Sequence, residues 1–162
     1  MLVLGIDPGT ATTGFGVVAK ENSTIKPVDF GVIKTSPKTD LAFRLLDIHH
    51  AVLQIIEKHR PQAMAIEELF FARNTRSAFA VCQARGAVIL TAAQCGLEVY
   101  EYTPLQVKQS VVGYGQADKN QVQQMVKRLL KMDNIVKPDD AADALAIAIC
   151  HINSYRLGRE QA

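Results

Sequence analysis

Two apolar runs near the N-terminus are separated by a tight turn, and this pattern limits the folds open to the chain. The stretch LGIDPGTATTGFGVV runs from Leu4 to Val18, and Asp7 closes its first apolar run. Asp-Pro-Gly is turn chemistry, because proline presets the backbone and glycine relaxes its steric limits. The second apolar run begins almost at once. The pattern therefore predicts a tight antiparallel hairpin whose first strand ends on a charged residue.

The segments that follow are typical of an α/β protein with one mixed sheet. Three antiparallel strands joined by short turns are predicted first, at residues 3–7, 14–19 and 27–34. Leu41, Leu45, Ile48, Val52 and Ile55 recur at helical spacing and predict an amphipathic helix at 40–59. That helix gives the chain room to lay a fourth strand, 63–68, parallel to the first. Further elements are a helix at 75–94, a strand at 97–102, and helices at 104–112, around 122–130 and at 138–149.

The length of 162 residues predicts one domain spanning residues 1–162, with an ordinary apolar content of 48%. No apolar run approaches the roughly 20 residues of a membrane span. The N-terminus lacks the basic region and cleavage site of a secretory signal. Three cysteines without metal-ligand spacing are expected to be reduced core thiols of a cytoplasmic protein, namely Cys82, Cys95 and Cys150.

Acidic residues stand at the ends of two predicted strands. If the first and fourth strands are parallel neighbours about 4.8 Å apart, Asp7 meets Glu67 or Glu68 at one edge of the sheet. Alternation does not choose between the two glutamates, because the strand is apolar on both faces. Two ionised carboxylates this close repel each other, unless a divalent cation lies between them.

The segment KPDDAADALAIAI adds two more acids. Asp140 and Asp143 are three residues apart and share one face of the last helix. Asp139 and Asp140 also suit a helix start without any further role, whereas Asp143 lies deeper in an apolar segment. Carboxylates without His or Cys suit Mg²⁺ or Mn²⁺ rather than zinc. Two such ions about 3.5–4 Å apart can activate water against a phosphodiester and stabilise the leaving oxygen.

Five blocks follow one another from near the N-terminus to about Ile149: GIDPGTATTGFGVV, AIEELFFARNTRSA, QARGAVIL, EYTPLQVKQSVVGYGQADKNQVQQMV and DDAADALAIAI. Together they closely resemble the RuvC family of Holliday-junction resolvases. The resemblance implies a ribonuclease-H-like fold with a mixed five-stranded sheet, and a homodimer that nicks four-way DNA junctions in recombination and repair. It implies two Mg²⁺ ions per subunit, replaceable by Mn²⁺, and a junction-migrating helicase complex of RuvA and RuvB type as partner. The catalytic and metal-binding acids it implies are Asp7, Glu67, Asp140 and Asp143.

Basic residues are expected to hold the DNA backbone. With four of the 16 acidic residues assigned to the site, the other 12 face 18 lysines and arginines, so the remaining surface is basic. Lys108 and Lys119 match the family's basic positions on either side of VVGYG and are predicted to contact phosphate. A lysine just after a helix cap at Asp118 opposes the helix dipole, which favours a functional role for Lys119. Lys127, Arg128 and Lys131 are expected to form a solvated helix face.

Four other residues are predicted to bind DNA: Phe70, Arg73, Arg76 and Tyr114. For Phe70, a wedge against unpaired bases and a hydrophobic staple at a helix start are equally plausible. Arg73 and Arg76 are candidates to hold the backbone nearby, and Tyr114 lies between two glycines at a predicted loop tip. The alanine-rich helix at 75–94 is suited either to a dimer interface or to packing on its own sheet.

Two other functions remain open on the sequence alone. A non-catalytic junction-binding module would need no metal, although retaining four like charges without one is costly. IDPGT before a glycine-bearing strand also resembles the phosphate loop of actin and sugar-kinase ATPases. Those enzymes need a second lobe, for which 162 residues leave little room.

Overall fold

The computed structural model describes residues 1–68 and 75–159, of which 75–77 and 156–159 as backbone alone, and these residues form a five-stranded mixed sheet. The strand order across the sheet is β3-β2-β1-β4-β5. The first three strands pair antiparallel, whereas β1 with β4 and β4 with β5 pair parallel. The predicted sheet is therefore confirmed, including the adjacency of the first and fourth strands. The strands are β1 Leu2–Asp7, β2 Thr12–Glu21, β3 Thr24–Lys34, β4 Ala63–Glu67 and β5 Val99–Tyr102.

Helices cover both faces of this sheet. The last helix continues to Arg159 instead of ending near Ile149, because His151 and Ile152 are still buried in the core. Within the described part of the chain, no helix is both long enough and apolar enough to cross a membrane. The helices are α1 Leu41–His59, α2 Thr75–Gln94, α3 Pro104–Val112, α4 Lys119–Leu129 and α5 Asp139–Arg159.

Side chains of the central strands alternate between two separate cores. One core, between the sheet and helices α1 and α2, receives Leu4, Ile6, Met64 and Ile66. The core on the other face, built largely on α5, receives Val3 and Ala65. Since successive residues of a strand point to opposite faces, Asp7 and Glu67 belong to the α5 side of the sheet.

Helix α5 approaches the sheet closely because β1 and β2 carry glycine residues where the helix packs against them. A Cβ atom built on Gly5 would overlap the carbonyl oxygen of Ala144, and one on Gly14 would overlap that of Asp140. A larger residue at either position would hold the helix away from the strands. These two glycines therefore set the distance between the strand carrying Asp7 and the helix carrying Asp143.

Two expectations about burial are wrong. Leu41 is exposed although it has helical spacing, because α1 begins to pack only further along, through Ile48 and Val52. Cys95 is exposed and Cys82 half-buried, so of the three free cysteines Cys150 alone is a buried thiol. Periodicity predicts a helix correctly without saying where along it the packing partner begins.

Candidate active site

The carboxyl ends of β1 and β4 open into a pocket of about 220 Å³ that three acidic side chains line. Ile6 pairs with Ile66 in the parallel ladder, so Asp7 and Glu67 end their strands side by side. Asp143 reaches the same pocket from α5. The structure thus brings Asp7, Glu67 and Asp143 together. Strand ends predict that Asp7 meets Glu67 or Glu68, and the family resemblance implies Glu67 and adds Asp143. The remaining lining residues are Pro104, Val107, Lys108, Lys119, Val122, Ala146 and Ile147.

The fourth predicted acid, Asp140, lies one turn before Asp143 and is not among the described residues that line the pocket. Its charge nevertheless acts there, because it contributes to raising the pKa of both Asp7 and Asp143. Its backbone carbonyl faces Gly14 of β2. Asp140 is therefore an electrostatic member of the site, placed at its edge.

Glu67 lines the pocket, and the neighbouring Glu68 does not. Glu67 is the last residue of β4, on the same side of the sheet as Ala65 and helix α5. Glu68 follows the strand and is exposed, with its N–H donating to the Tyr102 carbonyl at 2.8 Å. Apolar residues on both faces of β4 hide this distinction from strand alternation. The family resemblance implies Glu67, and the packing of α5 on that side of the sheet gives the physical reason.

The turn after Asp7 is anchored to its surroundings. The Thr10 hydroxyl donates to the Ala80 carbonyl of α2, and the Thr35 hydroxyl donates to the Thr10 carbonyl, both at 2.5 Å. The buried Thr13 donates to the Gly9 carbonyl at 2.7 Å. These bonds fix the backbone that carries the Asp7 carboxylate. These bonds were not predicted from the sequence, although threonine hydroxyls in a Gly-rich turn commonly bond nearby backbone.

Burial and like charge raise the pKa values of the pocket acids. Burial, with the charges of Asp143, Glu67 and Asp140, raises the pKa of Asp7 to about 7, against an opposing effect of Lys119. Burial and Asp143 raise the pKa of Glu67, whereas Lys108 lowers it. Burial also raises the pKa of Asp143, although Lys119 pulls it down. A pocket that disfavours ionised carboxylates in this way would be stabilised by an added cation.

Lys119 places a positive charge beside Asp143. Its Nζ lies 3.2 Å from Asp143 Oδ2 and 3.4 Å from Asp139 Oδ2. Lys119 is the first residue of α4, and Asp118 caps that helix in a capping box with Gln121. The cap at Asp118 is as predicted, and the acidic partners of Lys119 were not foreseen.

The donor chemistry of the pocket fits a hard divalent cation. Carboxylates line it without His or Cys among the described residues, which matches Mg²⁺ or Mn²⁺ better than zinc. However, within residues 1–68 and 75–159 no three His, Cys, Asp or Glu side chains are grouped closely enough to hold one ion. An ion binding here has to draw the carboxylates together and to compete with Lys119 for Asp143. An ion pair with side chains 55% and 33% exposed resists such exchange by only about 0–1 kcal/mol.

The structure describes the side chains of only some of the other predicted DNA-binding residues. Lys108 lines the pocket from α3, and Tyr114 is exposed in the loop between α3 and α4. Phe70 and Arg73 lie outside the described residues, and Arg76 is described only through the backbone of the first turn of α2.

The three basic residues near the end of α4 border a groove on the surface. Arg128 and Lys131 are exposed and Lys127 is half-buried. Lys127 and Arg128 lie in the last turn of α4, whereas Lys131 lies beyond its end, so the predicted helix face does not include Lys131. Methionines Met125 and Met132 also line this groove. Cations at the C-terminal end of a helix are favourable to the helix dipole, which accounts for them without a further role.

Known proteins resemble this chain along nearly its whole length. A family model described as "Crossover junction endodeoxyribonuclease RuvC" matches residues 3–151. A relative of that name from Desulfitobacterium hafniense is 57% identical over 97% of this chain and 95% of its own. The structure of T. thermophilus RuvC in complex with Holliday junction substrate has a TM-score of 0.94 at 42% identity, covering 98% of this chain and 96% of that one. The yeast mitochondrial Holliday junction resolvase Ydc2, at 17% identity and a TM-score of 0.65, covers 98% and 85% and shares the fold.

Proposed function

The chain belongs to the RuvC family of crossover junction endodeoxyribonucleases, and we propose on this premise that it resolves four-way DNA junctions by paired symmetric nicks. It is a hydrolase of phosphodiester bonds that serves homologous recombination and DNA repair, and so acts in the cytoplasm with the chromosome. The observation that carries the proposal is the acidic pocket in which Asp7, Glu67 and Asp143 converge. Its carboxylates and its two lysines suit a reaction at phosphate.

We assign the reaction to Asp7, Glu67, Asp140 and Asp143, which also form the metal-binding set. Use of a divalent metal is general in this family, and Mg²⁺, with Mn²⁺ as a substitute and two ions per subunit, fits the all-oxygen donors. Bound ions would supply an activated water and stabilise the leaving oxygen. The chain itself holds Asp7 and Glu67 at the ends of paired strands and presents Asp143 from α5.

We assign DNA contact to Lys108 and Lys119, both of which line the pocket. The Lys119 side chain is 55% exposed, so a phosphate can reach it. Phe70, Arg73, Arg76 and Tyr114 complete the proposed interface by resemblance to the family.

The proposed assembly is a homodimer, because a junction with two-fold symmetry needs two matching active sites. Helix α2 exposes Phe79 and Leu90, which supports this helix as the contact surface. Cooperation with a junction-migrating helicase complex of RuvA and RuvB type is proposed from family membership.

A cleavage panel with Mg²⁺ tests this function, using a four-way junction, a flap, a linear duplex and an RNA–DNA hybrid. We expect symmetric nicks in the junction and little cutting of the duplex. Asp7→Asn should abolish nicking and leave junction binding intact. Equal loss of binding would contradict the catalytic assignment of Asp7. A protein that binds junctions but never cuts them would instead be a binding module.

A further inference from the structure

Arg85 of α2 contacts the ends of two neighbouring strands at once. Its Nη2 lies 2.6 Å from Glu101 Oε2 of β5, and its Nε donates to the Glu67 carbonyl of β4 at 3.4 Å. The Arg85 side chain is only 16% exposed. The guanidinium therefore joins α2, β4 and β5 at the point where β4 delivers Glu67 to the pocket.

These contacts lie behind the pocket, on the other face of the sheet. Ile66 pairs with Glu101 in the parallel ladder and packs in the core beneath α1 and α2. The Glu67 side chain points the other way, into the pocket. Arg85 thus holds Glu67 through its backbone and is not among the residues that line the pocket.

The end of β4 needs a side-chain contact of this kind to hold it in place. Glu67 is the last residue of the strand, and beyond it the Glu68 N–H makes a bond to Tyr102 as the ladder ends. A strand end without further pairing is free to fray. A planar guanidinium makes two directed bonds at once, which a lysine ammonium on a flexible stem does not reproduce.

We propose that Arg85 is a positioning residue that fixes the Glu67 backbone for metal binding, with Glu101 holding the guanidinium in place. The inference rests on the proposed function, since it deepens the role of the same site. A displaced Glu67 carboxylate would have to be drawn further before it could join Asp7 and Asp143 around an ion. Substitution of groups that orient metal ligands typically lowers metal affinity about 10–100-fold.

The test compares Arg85→Met, Arg85→Lys and Glu101→Gln with the unchanged full-length protein. Mn²⁺ binding is measured by calorimetry, the Mg²⁺ dependence of junction cleavage by gel assay, and junction affinity in EDTA. We expect Arg85→Met to weaken Mn²⁺ binding about tenfold and to raise the Mg²⁺ concentration for half-maximal cleavage similarly. Junction affinity in EDTA should stay within about twofold, and Arg85→Lys should restore part of the loss because it keeps the charge near Glu101.

Lys58→Met is the matched control, because it removes a 2.8 Å ion pair between α1 and Asp29 of β3 without touching the pocket lining. The proposal is overturned if Arg85→Met changes Mn²⁺ binding no more than this control does. It is also overturned if cleavage, junction binding and thermal stability all fall together. If Arg85→Met does not fold, Glu101→Gln, whose side chain is half exposed, should show the same shift at smaller size. Failure of the unchanged protein to cut junctions would count against the proposed function instead.

Discussion

A single peptide bond at the end of β4 separates an acid in the pocket from an acid in solvent. Glu67 lines the pocket, whereas Glu68 is exposed beyond the strand. We predict that Glu67→Gln lowers the rate of junction cleavage at least about 100-fold, because a neutral amide neither carries the charge nor binds a cation as a carboxylate does. The rate is to be measured at saturating Mg²⁺ under single-turnover conditions.

Glu68→Gln provides the control for that prediction, since it makes the same chemical change one residue away. It should leave the rate within about threefold of the unchanged protein, as exposed substitutions usually do. Both variants should bind the junction in EDTA as the unchanged protein does. Equal loss of cleavage in the two variants would show that the pocket uses both acids.

The raised pKa of Asp7 makes stability depend on pH. The pKa is about 7 in the folded protein and 3.8 in the unfolded chain, so the folded state holds this proton more tightly and loses stability as pH rises from about 4 to 7. Asp7→Asn removes the free-energy cost of ionising this buried carboxyl group, which is at most about 4 kcal/mol. We therefore expect this variant in EDTA to unfold at a higher temperature than the unchanged protein at pH 8.

At pH 4 the same comparison should show little difference, because Asp7 is then largely protonated when folded and about half protonated when unfolded. Mg²⁺ at pH 8 should raise the unfolding temperature of the unchanged protein more than that of Asp7→Asn. If Asp7→Asn were less stable than the unchanged protein at pH 8 in EDTA, burial and like charge could not be the cause of the raised Asp7 pKa.

At the residue scale, the sequence predicts the acids of the pocket better than it predicts the side chains that pair with them. Asp7 and Asp143 follow from a strand end and from helical spacing in an apolar segment, and both line the pocket. The ion pairs of Lys119 with Asp139 and Asp143 join two helices that meet only in the folded chain. No local pattern encodes such a contact, because its geometry depends on the packing of α4 against α5.

At the element scale, strands and helices are predictable here because turns and periodicity agree along most of the chain. The order of the strands follows from hairpins and a helical crossover, and the sheet has this order. The extension of α5 to Arg159 was not predicted, since Cys150, His151 and Ile152 are buried by neighbours distant in sequence. The close packing of α5 on the glycines of β1 and β2 likewise depends on a contact between elements that are distant in sequence. The sequence of neither element predicts this contact by itself.

That seating leads to a prediction about Gly5. Gly5→Ala places a methyl group against the Ala144 carbonyl and pushes α5 from β1, which should destabilise the fold by about 1–3 kcal/mol. Because α5 carries Asp143, cleavage should fall beyond what the unfolded fraction explains. The measurements are urea unfolding and the cleavage rate at a temperature where the variant stays folded.

Gly86→Ala is the matched control for Gly5→Ala. A methyl group at Gly86 in α2 meets open space in this chain, and alanine favours a helix over glycine by about 1 kcal/mol. This variant should therefore be as stable as the unchanged protein or more so. Stability alone serves as the control, because Gly86 shares with Phe79 and Leu90 the face of α2 that the proposed dimer uses. Gly5→Ala with stability equal to that of Gly86→Ala would mean that α5 adjusts its distance from the sheet without cost.

At the scale of the whole molecule, the small net charge does not show how acidic and basic side chains are distributed. The formal net charge is only +2, yet acids gather at one pocket that also carries Lys108 and Lys119. Anionic DNA must approach a site that is itself anionic, so these lysines have to offset the repulsion where a phosphate enters. Binding should accordingly be salt-dependent, because every neutralised phosphate releases counterions.

Lys108 allows a test of this arrangement, because it lines the pocket while Lys119 also holds Asp143. Lys108→Gln should weaken junction binding in EDTA and reduce the slope of log affinity against log salt by about 1. Lys26→Gln removes a distant exposed lysine whose 3.5 Å partner is Glu21, and it should leave the slope unchanged. Fluorescence anisotropy with a labelled junction at several salt concentrations measures both slopes. Equal slopes for Lys108→Gln and the unchanged protein would show that the phosphate backbone does not reach this side of the pocket, and the DNA path would then have to follow other basic residues.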